Sequence, residues 1–554
     1  MTRSIIDPIT RIEGHLRVEM EVENGKVSDA WVSGGCFRGM ELVVKDRTPE
    51  DAAQIVERIC GVCPVSHAHA SSIAAEKAYG IEISNNARII RNLIEGAQFL
   101  HSHILWFYNL AGLDYVNPLN ALKANVGDAY DLAAAQGCAT ASDMYALKER
   151  LSKFADNGQL SIFSGNWFDA EDGTGYKLPA ELDLILTAHY LEALKMQAKA
   201  SEIAALLGGK MPHVMTIVPG GTAFVPTSSK LDDLKYLVDE VYNWVEATML
   251  PDVLALAPYY TDALNWGKGC GRYIAWGVFE NKSMLLNERY MPAGVLQDGL
   301  KLEDVDTSKI AEYVGHSWYK GDATRQSPDY TTEPEYTEYY KDGSDTVNDR
   351  YSWVKCPGYD GKPMEAGSLS RILVAYKRNV PFIVKHVDAV LEALGAPGNL
   401  NALGSTLGRT GIRQVETLYI AGLMKDWVDE LIEAVKSGDS EYFREPARIS
   451  GEGEGLWEAP RGALYHAEKV ENGRIQGYQI IIPSTWNLAP HNEKGEYGPL
   501  EQALIGVPVG DIKKPINALR TVHSFDPCTA CAVHVTEPAT GKHFETVTSP
   551  WGVK

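Results

Sequence analysis

Eight cysteines occur in the sequence, and four of them form two identical spacings, Cys60-Gly61-Val62-Cys63 and Cys528-Thr529-Ala530-Cys531. Two thiolates at that spacing can share a metal ion or act as a redox dithiol. One such motif says little; two, at opposite ends of a chain, say more. Gly61 permits a tight turn that aims both sulfurs at one point. Pro527 fixes the approach of the chain, and the small Thr529 and Ala530 leave room beside the second pair. Cys36, Cys138, Cys270 and Cys356 are scattered singly and read as core thiols.

Three chemistries compete for the two pairs. A zinc ribbon separates its halves by about 15–20 residues, whereas here most of the chain intervenes. A dithiol oxidoreductase needs one pair within a βαβ context, which the pattern does not offer. Four thiolates gathered on a soft transition metal, with histidines and carboxylates nearby in sequence, suit a redox metal centre best.

The rest of the composition narrows the class. The chain has 554 residues, with 52 Lys and Arg against 73 Asp and Glu, a net charge of −21. Such a surface repels phosphate backbones and anionic membranes, so no nucleic acid is expected as a partner. Hydrophobic residues at 45% and charged residues at 23% describe an ordinary globular protein. No apolar run reaches the ~20 residues that span a bilayer. The N-terminal residues lack a basic-then-apolar signal pattern, so any export and any membrane association are expected to be carried by partners.

Alternation from His15 to Val22, the Asn24-Gly25 turn and Val27 to Val32 predict a β-hairpin. Thr48-Pro49-Glu50-Asp51 starts a helix that runs through Val56 and delivers Cys60. Helical periodicity covers Ser84–Ala111, Pro179–Leu207, Leu231–Leu256, Ser368–Leu394 and Gly411–Lys436. An aromatic, Gly- and Pro-rich stretch over 259–366 reads as irregular cover. Ile475, Tyr478, Ile480 and Ile482 suggest a strand or two, and a short helix lies near Glu501–Ile505. The expected fold class is mainly α with an α+β periphery. It has a large helical-bundle core, an N-terminal β-hairpin or sheet and a small C-terminal β element. One catalytic domain is expected over 1–534, made of a β-rich part (1–46), a helical core (47–258), the cover (259–366) and a C-terminal metal-binding part (367–534).

Arg11-Ile12-Glu13-Gly14-His15, Arg58-Ile59-Cys60-Gly61-Val62-Cys63 and Asp526-Pro527-Cys528-Thr529-Ala530-Cys531-Ala532-Val533-His534 resemble signature segments of the nickel–iron hydrogenase large subunit. Phe37-Arg38-Gly39-Met40-Glu41, Gly208-Gly209-Lys210, Pro212-His213, His316-Ser317-Trp318-Tyr319, Ala459-Pro460-Arg461-Gly462 and Pro483-Ser484-Thr485-Trp486-Asn487 agree with it in order. The match runs from Asp7 to His534, and the respiratory uptake branch fits best. Pro357-Gly358-Tyr359 and Gly367-Ser368-Leu369-Ser370 depart from the common family pattern and carry no catalytic weight. A quinone-binding relative of the same fold would lack the four cysteines, all of which are present here.

The resemblance implies heterolytic cleavage and formation of H2 at nickel held by Cys60, Cys63, Cys528 and Cys531. Cys63 and Cys531 would bridge to an iron carrying CO and two cyanides. It further implies Cys528 as proton-accepting thiolate, Glu13 as proton gate, and Arg461 over the metals, oriented by Asp114 and Asp526. Ser484, with Pro483 and Pro460 beside it, would face the cyanides, and His67 would hydrogen-bond a bridging sulfur. Glu41, the Ile480 carbonyl and His534 would hold magnesium. With no ferredoxin-type cysteine spacing left, electrons are expected to leave through an iron–sulfur small subunit. The resemblance also implies an endopeptidase that cuts after His534 and removes 535–554. The precursor would be cytoplasmic and the mature enzyme periplasmic or on the periplasmic face of the membrane, co-exported with the small subunit.

Overall fold

The computed structural model describes residues 2–35, 37–138, 141–160, 175–321, 323–325, 333–341 and 344–529. Cys36, Cys531, His534 and the 535–554 extension lie outside these residues.

The chain opens with an antiparallel sheet of β1 (Thr2–Ile6), β2 (Leu16–Glu23) and β3 (Lys26–Gly34). The Asn24-Gly25 turn joins β2 to β3, and both residues take positive φ, 52° and 73°, as a tight hairpin requires. One face of this sheet buries Leu16, Val18, Met20 and Val32 against Leu500, Leu504, Leu519 and Phe525. Backbone bonds from Val27 N–H to the Val507 carbonyl and from Gly506 N–H to the Val27 carbonyl stitch that contact. The two ends of the described chain are thereby joined.

Helix α1 (Pro49–Val56) starts as its sequence prescribes, with Thr48 capping Asp51 N–H and proline at the first position. A single 3₁₀ turn, Glu57–Ile59, follows and ends at Cys60. Cys63 then precedes α2 (Pro64–Tyr79), again with proline first, so both sulfurs sit in the bend between two helices. The body is built on α3 (Asn85–Ile104), α4 (Ala180–Gly208), α5 (Ser228–Trp244), α6 (Ser368–Lys377), α7 (Pro381–Ala393) and α8 (Thr406–Lys436). Helices α3, α4, α5 and α8 pack on one another around a common apolar core. Although α3 has an amphipathic sequence, nearly all of it is buried, because Arg88, Arg91, Asn92, Glu95 and Gln98 find partners inside the protein.

Three predicted helices are broken, and the 84–111 stretch is one of them, turning into a π helix at Leu105–Ala111. The 231–256 stretch widens into a π turn at Val245–Met249 before Leu250–Leu256, because Pro251 lacks the N–H that would bond back one turn. The 368–394 stretch divides at Asn379, with positive φ, before Pro381 restarts the helix as α7. The aromatic cover contains short strands, among them Tyr273–Ala275, Gly294–Gln297, Ile310–Tyr313 and Cys356–Tyr359.

The expected C-terminal strand or two is a full antiparallel sheet of β4 (Gly451–Ala459), β5 (Gly462–Glu471) and β6 (Arg474–Ile481). Its first strand begins Gly-Glu-Gly-Glu-Gly, a poor strand former by composition. The glycines answer to packing. A Cβ at Gly453 or Gly455 would stand 2.0 Å from the Ala74 carbonyl oxygen or 1.9 Å from that of Ala70. Strand β4 thus lies directly on the backbone of α2, the helix that follows Cys63. The chain returns through α9 (Pro483–Asn487), α10 (Pro499–Leu504) and α11 (Ile516–Ser524) to Cys528.

Candidate metal centre

The sulfurs of Cys60, Cys63 and Cys528 lie within 4.8 Å of one another, and all three residues are buried. Cys60 Sγ is 3.4 Å from Cys528 Sγ, too long for a disulfide and suited to two ligands of one ion. The N–H groups of Val62 and Cys63 donate to Cys60 Sγ at 3.3 and 3.2 Å. Donors aimed at a sulfur favour its thiolate form, the form that binds metal. The donor set therefore fits a soft transition metal.

The N-terminal signature segment is pinned to the C-terminal one. Glu13 and Cys528 form an isolated parallel β-bridge. Thr529 donates to the Glu13 carbonyl from its N–H at 2.6 Å and from its hydroxyl at 3.1 Å. Arg11, at φ 56°, reaches across to the Leu110 carbonyl and to Asp114. Burial raises the Glu13 carboxyl above its ordinary value and the Cys60 sulfur adds to this, while Arg461 and Arg38 pull it down.

Arg461 sits in the β4–β5 turn and is fully buried. Burial opposes its charge, but Asp526 and the sulfurs of Cys528, Cys63 and Cys60 outweigh that and hold the guanidinium protonated. Its Nε donates to Asp526 Oδ1 at 3.1 Å, and Arg413 donates to the other oxygen at 2.6 Å. Asp114 differs from the expectation that it would orient Arg461. Its two oxygens are taken by Arg11 and by His523 Nδ1, the latter at 2.6 Å. Its place explains the difference. The 3₁₀ turn Gly112–Asp114 points it toward α11 and the Arg11 loop, and Asp526 remains for Arg461.

Ser484, in the first turn of α9 after Pro483, accepts the Cys528 N–H at 3.0 Å and keeps its own hydroxyl proton to donate. The carbonyls of Ala459 and Pro460 accept from Arg371 at 2.9 and 2.8 Å. Arg371 also pairs with Glu416 and Glu458 at 2.6 and 2.7 Å, all fully buried. Arg371 and Arg413 were not singled out from sequence. The available signal was a charged residue inside an apolar helical run, Leu369-Ser370-Arg371-Ile372-Leu373 and Ile412-Arg413-Gln414-Val415.

His67 Nδ1 stands 3.1 Å from His466 Nε2, and burial pushes its imidazole down to about 4. Its Nε2 has no hydrogen-bond partner among the described residues. Farther out, Glu41 accepts the Ile480 N–H at 2.9 Å, so it is the amide of Ile480 that reaches this carboxylate. Lys355 Nζ lies 3.9 Å from Glu41 and 3.3 Å from Glu312, and Gln479 donates to Glu312 at 2.7 Å. Two carboxylates against one ammonium line a small cleft there, a donor set that fits a hard cation.

Residues 38–534 match the family described as "Nickel-dependent hydrogenase", and residues 4–33 match one described as "HoxL-like". The Hydrogenase-2 large chain of Escherichia coli (strain K12) is 38% identical over 563 residues, covering 97% of each chain. The uptake hydrogenase large subunit of Bradyrhizobium diazoefficiens is 36% identical, covering 97% of this chain and 96% of its own. Among solved structures, the Ni-Fe-Se hydrogenase from D. vulgaris Hildenborough superposes with a TM-score of 0.79 at 34% identity. That match covers 96% of this chain and 100% of the other. Fold, converging sulfurs and family agree over nearly the whole length, and the chain belongs to the nickel-dependent hydrogenases as a large subunit that activates H2.

Proposed function

We propose that the chain is the catalytic subunit of a respiratory uptake hydrogenase, with Cys60, Cys63, Cys528 and Cys531 as nickel ligands. Cys63 and Cys531 would also help to hold an iron that carries CO and two cyanides. The observation that carries this reading is the meeting of Cys60, Cys63 and Cys528 from opposite ends of the chain in one buried cluster. When bound, the bimetallic group supplies the electron-rich centre at which H2 is polarised.

The protein's own groups then handle protons. The Cys528 thiolate accepts the proton released from H2, and the Glu13 carboxyl, bridged to it through the backbone, takes the proton outward. A carboxyl raised above its ordinary value is matched to collecting a proton from a thiolate near neutral pH. Arg461, held by Asp526, provides a fixed cation and N–H donors beside the sulfurs. Ser484, which follows Pro483 in α9, keeps a hydroxyl proton that it would offer to an iron-bound cyanide, and Pro460 precedes Arg461 in the β4–β5 turn.

Glu41, the Ile480 carbonyl and His534 would hold magnesium. An endopeptidase removes 535–554 after His534. An iron–sulfur small subunit takes the electrons, and the mature pair works on the periplasmic side after co-export from the cytoplasm. No helix among the described residues is long and apolar enough to cross a membrane. Elemental analysis and infrared spectroscopy of the purified heterodimer test the reading. One nickel and one iron with CO and cyanide bands are expected, and zinc without such bands overturns it.

A further inference from the structure

Ala459, two residues before Arg461, packs against Cys60, Cys63 and Cys528, so the root of the Arg461 side chain is fixed beside the sulfurs. Its guanidinium donates through Nε to Asp526 Oδ1 at 3.1 Å and through Nη1 to Ser102 Oγ at 3.4 Å. The first bond is the shorter and is charge-assisted, so the setting of the Asp526 carboxylate decides where the guanidinium points. A carboxylate with both oxygens open takes an arginine as a fork, which commits two of its N–H groups to the acid. Here the fork is prevented. Arg413 Nη1 donates to Asp526 Oδ2 at 2.6 Å, and both side chains are buried. Arg461 is left with one oxygen of the acid.

Arg413 is itself rigidly set. It lies inside α8, and its guanidinium carbon is 4.1 Å from the centre of the Trp106 ring. Trp106 Nε1 donates to the His523 carbonyl at 3.0 Å, and the Asp526 amide donates to the same carbonyl at 3.0 Å. One peptide group thus places both the acid and the ring on which its second arginine lies. Asp114, expected in this role, is committed to Arg11 and His523. We propose that Arg413 is a positioning residue for the H2 reaction: by holding the second oxygen of Asp526 it keeps Arg461 from forking onto that acid and leaves the Arg461 terminal N–H groups for the metal-bound cyanide. Arg413 touches no reacting atom and acts only through Asp526 and Arg461. This inference rests on the nickel–iron reading above.

The test compares the assembled wild-type heterodimer with Arg413→Met and Arg413→Lys, with nickel and iron content measured on each. In metal-loaded Arg413→Met at least one cyanide infrared band moves and kcat falls by about 10- to 100-fold. The KM for H2 stays near wild type, because an uncharged diatomic is not held by a guanidinium. Arg413→Lys can still donate to the second oxygen and recovers most of both readouts. Unmoved cyanide bands with wild-type kcat in metal-loaded Arg413→Met, or equal damage in the two variants, overturn the proposal and leave the nickel–iron reading standing. A wild type without CO and cyanide bands overturns that reading itself. Where Arg413→Met does not assemble, a crystal structure of the metal-loaded wild type decides: Asp526 shared between the two arginines supports the proposal, and Arg461 forked on both Asp526 oxygens overturns it.

Discussion

Glu13 and Cys528 are paired through their backbones in a parallel bridge, although 515 positions separate them (528 − 13). The bridge places a carboxyl whose proton affinity is raised beside the segment that carries the buried Cys528 sulfur. Neither residue is positioned by its own secondary element. Each is held by the other, with Thr529 bonding the Glu13 carbonyl twice.

Glu13→Gln removes the titrating group and leaves this backbone arrangement in place. Proton exchange between D2 and water should fall by about 10²-fold or more, with nickel and iron content unchanged. Exchange at the wild-type rate would remove Glu13 from the proton route. The pH dependence should follow the same group. The carboxylate form is the acceptor, so wild-type exchange declines on the acid side, with a midpoint above the ordinary value of 4.5.

Gly455→Ala tests the contact between β4 and α2. A Cβ there would meet the Ala70 carbonyl oxygen at 1.9 Å, and a backbone atom cannot swing aside. Overpacking of this kind costs about 3 kcal/mol. Thermal unfolding should show a lowered Tm, and metal content should drop with it, because the helix being pushed follows Cys63. A Tm equal to wild type would show that the strand can withdraw from the helix.

The sequence made the candidate cysteine cluster legible because ligand spacing is a local property: Cys60-Gly61-Val62-Cys63 reads as a chelating turn in any fold, and its sulfurs meet that of Cys528. The long helices were legible from apolar period, and Thr48-Pro49 marked a helix start that the structure keeps. Strand β4 was not legible, since its alternating glycines are dictated by the approach of Ala70 and Ala74, a relation between segments far apart. The partner of Asp114 was hidden for the same reason. Its competition between Arg11, His523 and Arg461 is settled by the direction of a 3₁₀ turn, which no spacing rule encodes.

Arg371→Met should be strongly destabilising. The guanidinium neutralises Glu416 and Glu458 and holds the Ala459 and Pro460 carbonyls that precede Arg461. Removing one partner from a buried ion network leaves uncompensated charge and costs about 3–5 kcal/mol. Denaturant unfolding of the metal-loaded protein should read that loss as a lower midpoint. A change below about 1 kcal/mol, the value of an exposed pair, would show that the two glutamates find other partners.

Glu95 offers a pH test inside the core. Burial pushes its carboxyl up to about 8, while hydrogen bonds from Ser66 and Gln98 pull the other way. Its folded-state value thus lies above its unfolded one, so the folded protein binds the extra proton. Stability then falls as pH rises from the unfolded value near 4.5 to about 8, and levels off above. Glu95→Gln cannot lose that proton, and its amide oxygen can accept from the same two donors. The stability difference between variant and wild type should therefore grow in favour of the variant across this window. The slope approaches about 1.4 kcal/mol per pH unit. Unfolding curves recorded from pH 5 to 9 check it, and parallel pH profiles for the two proteins would mean that Glu95 stays ionised in the fold.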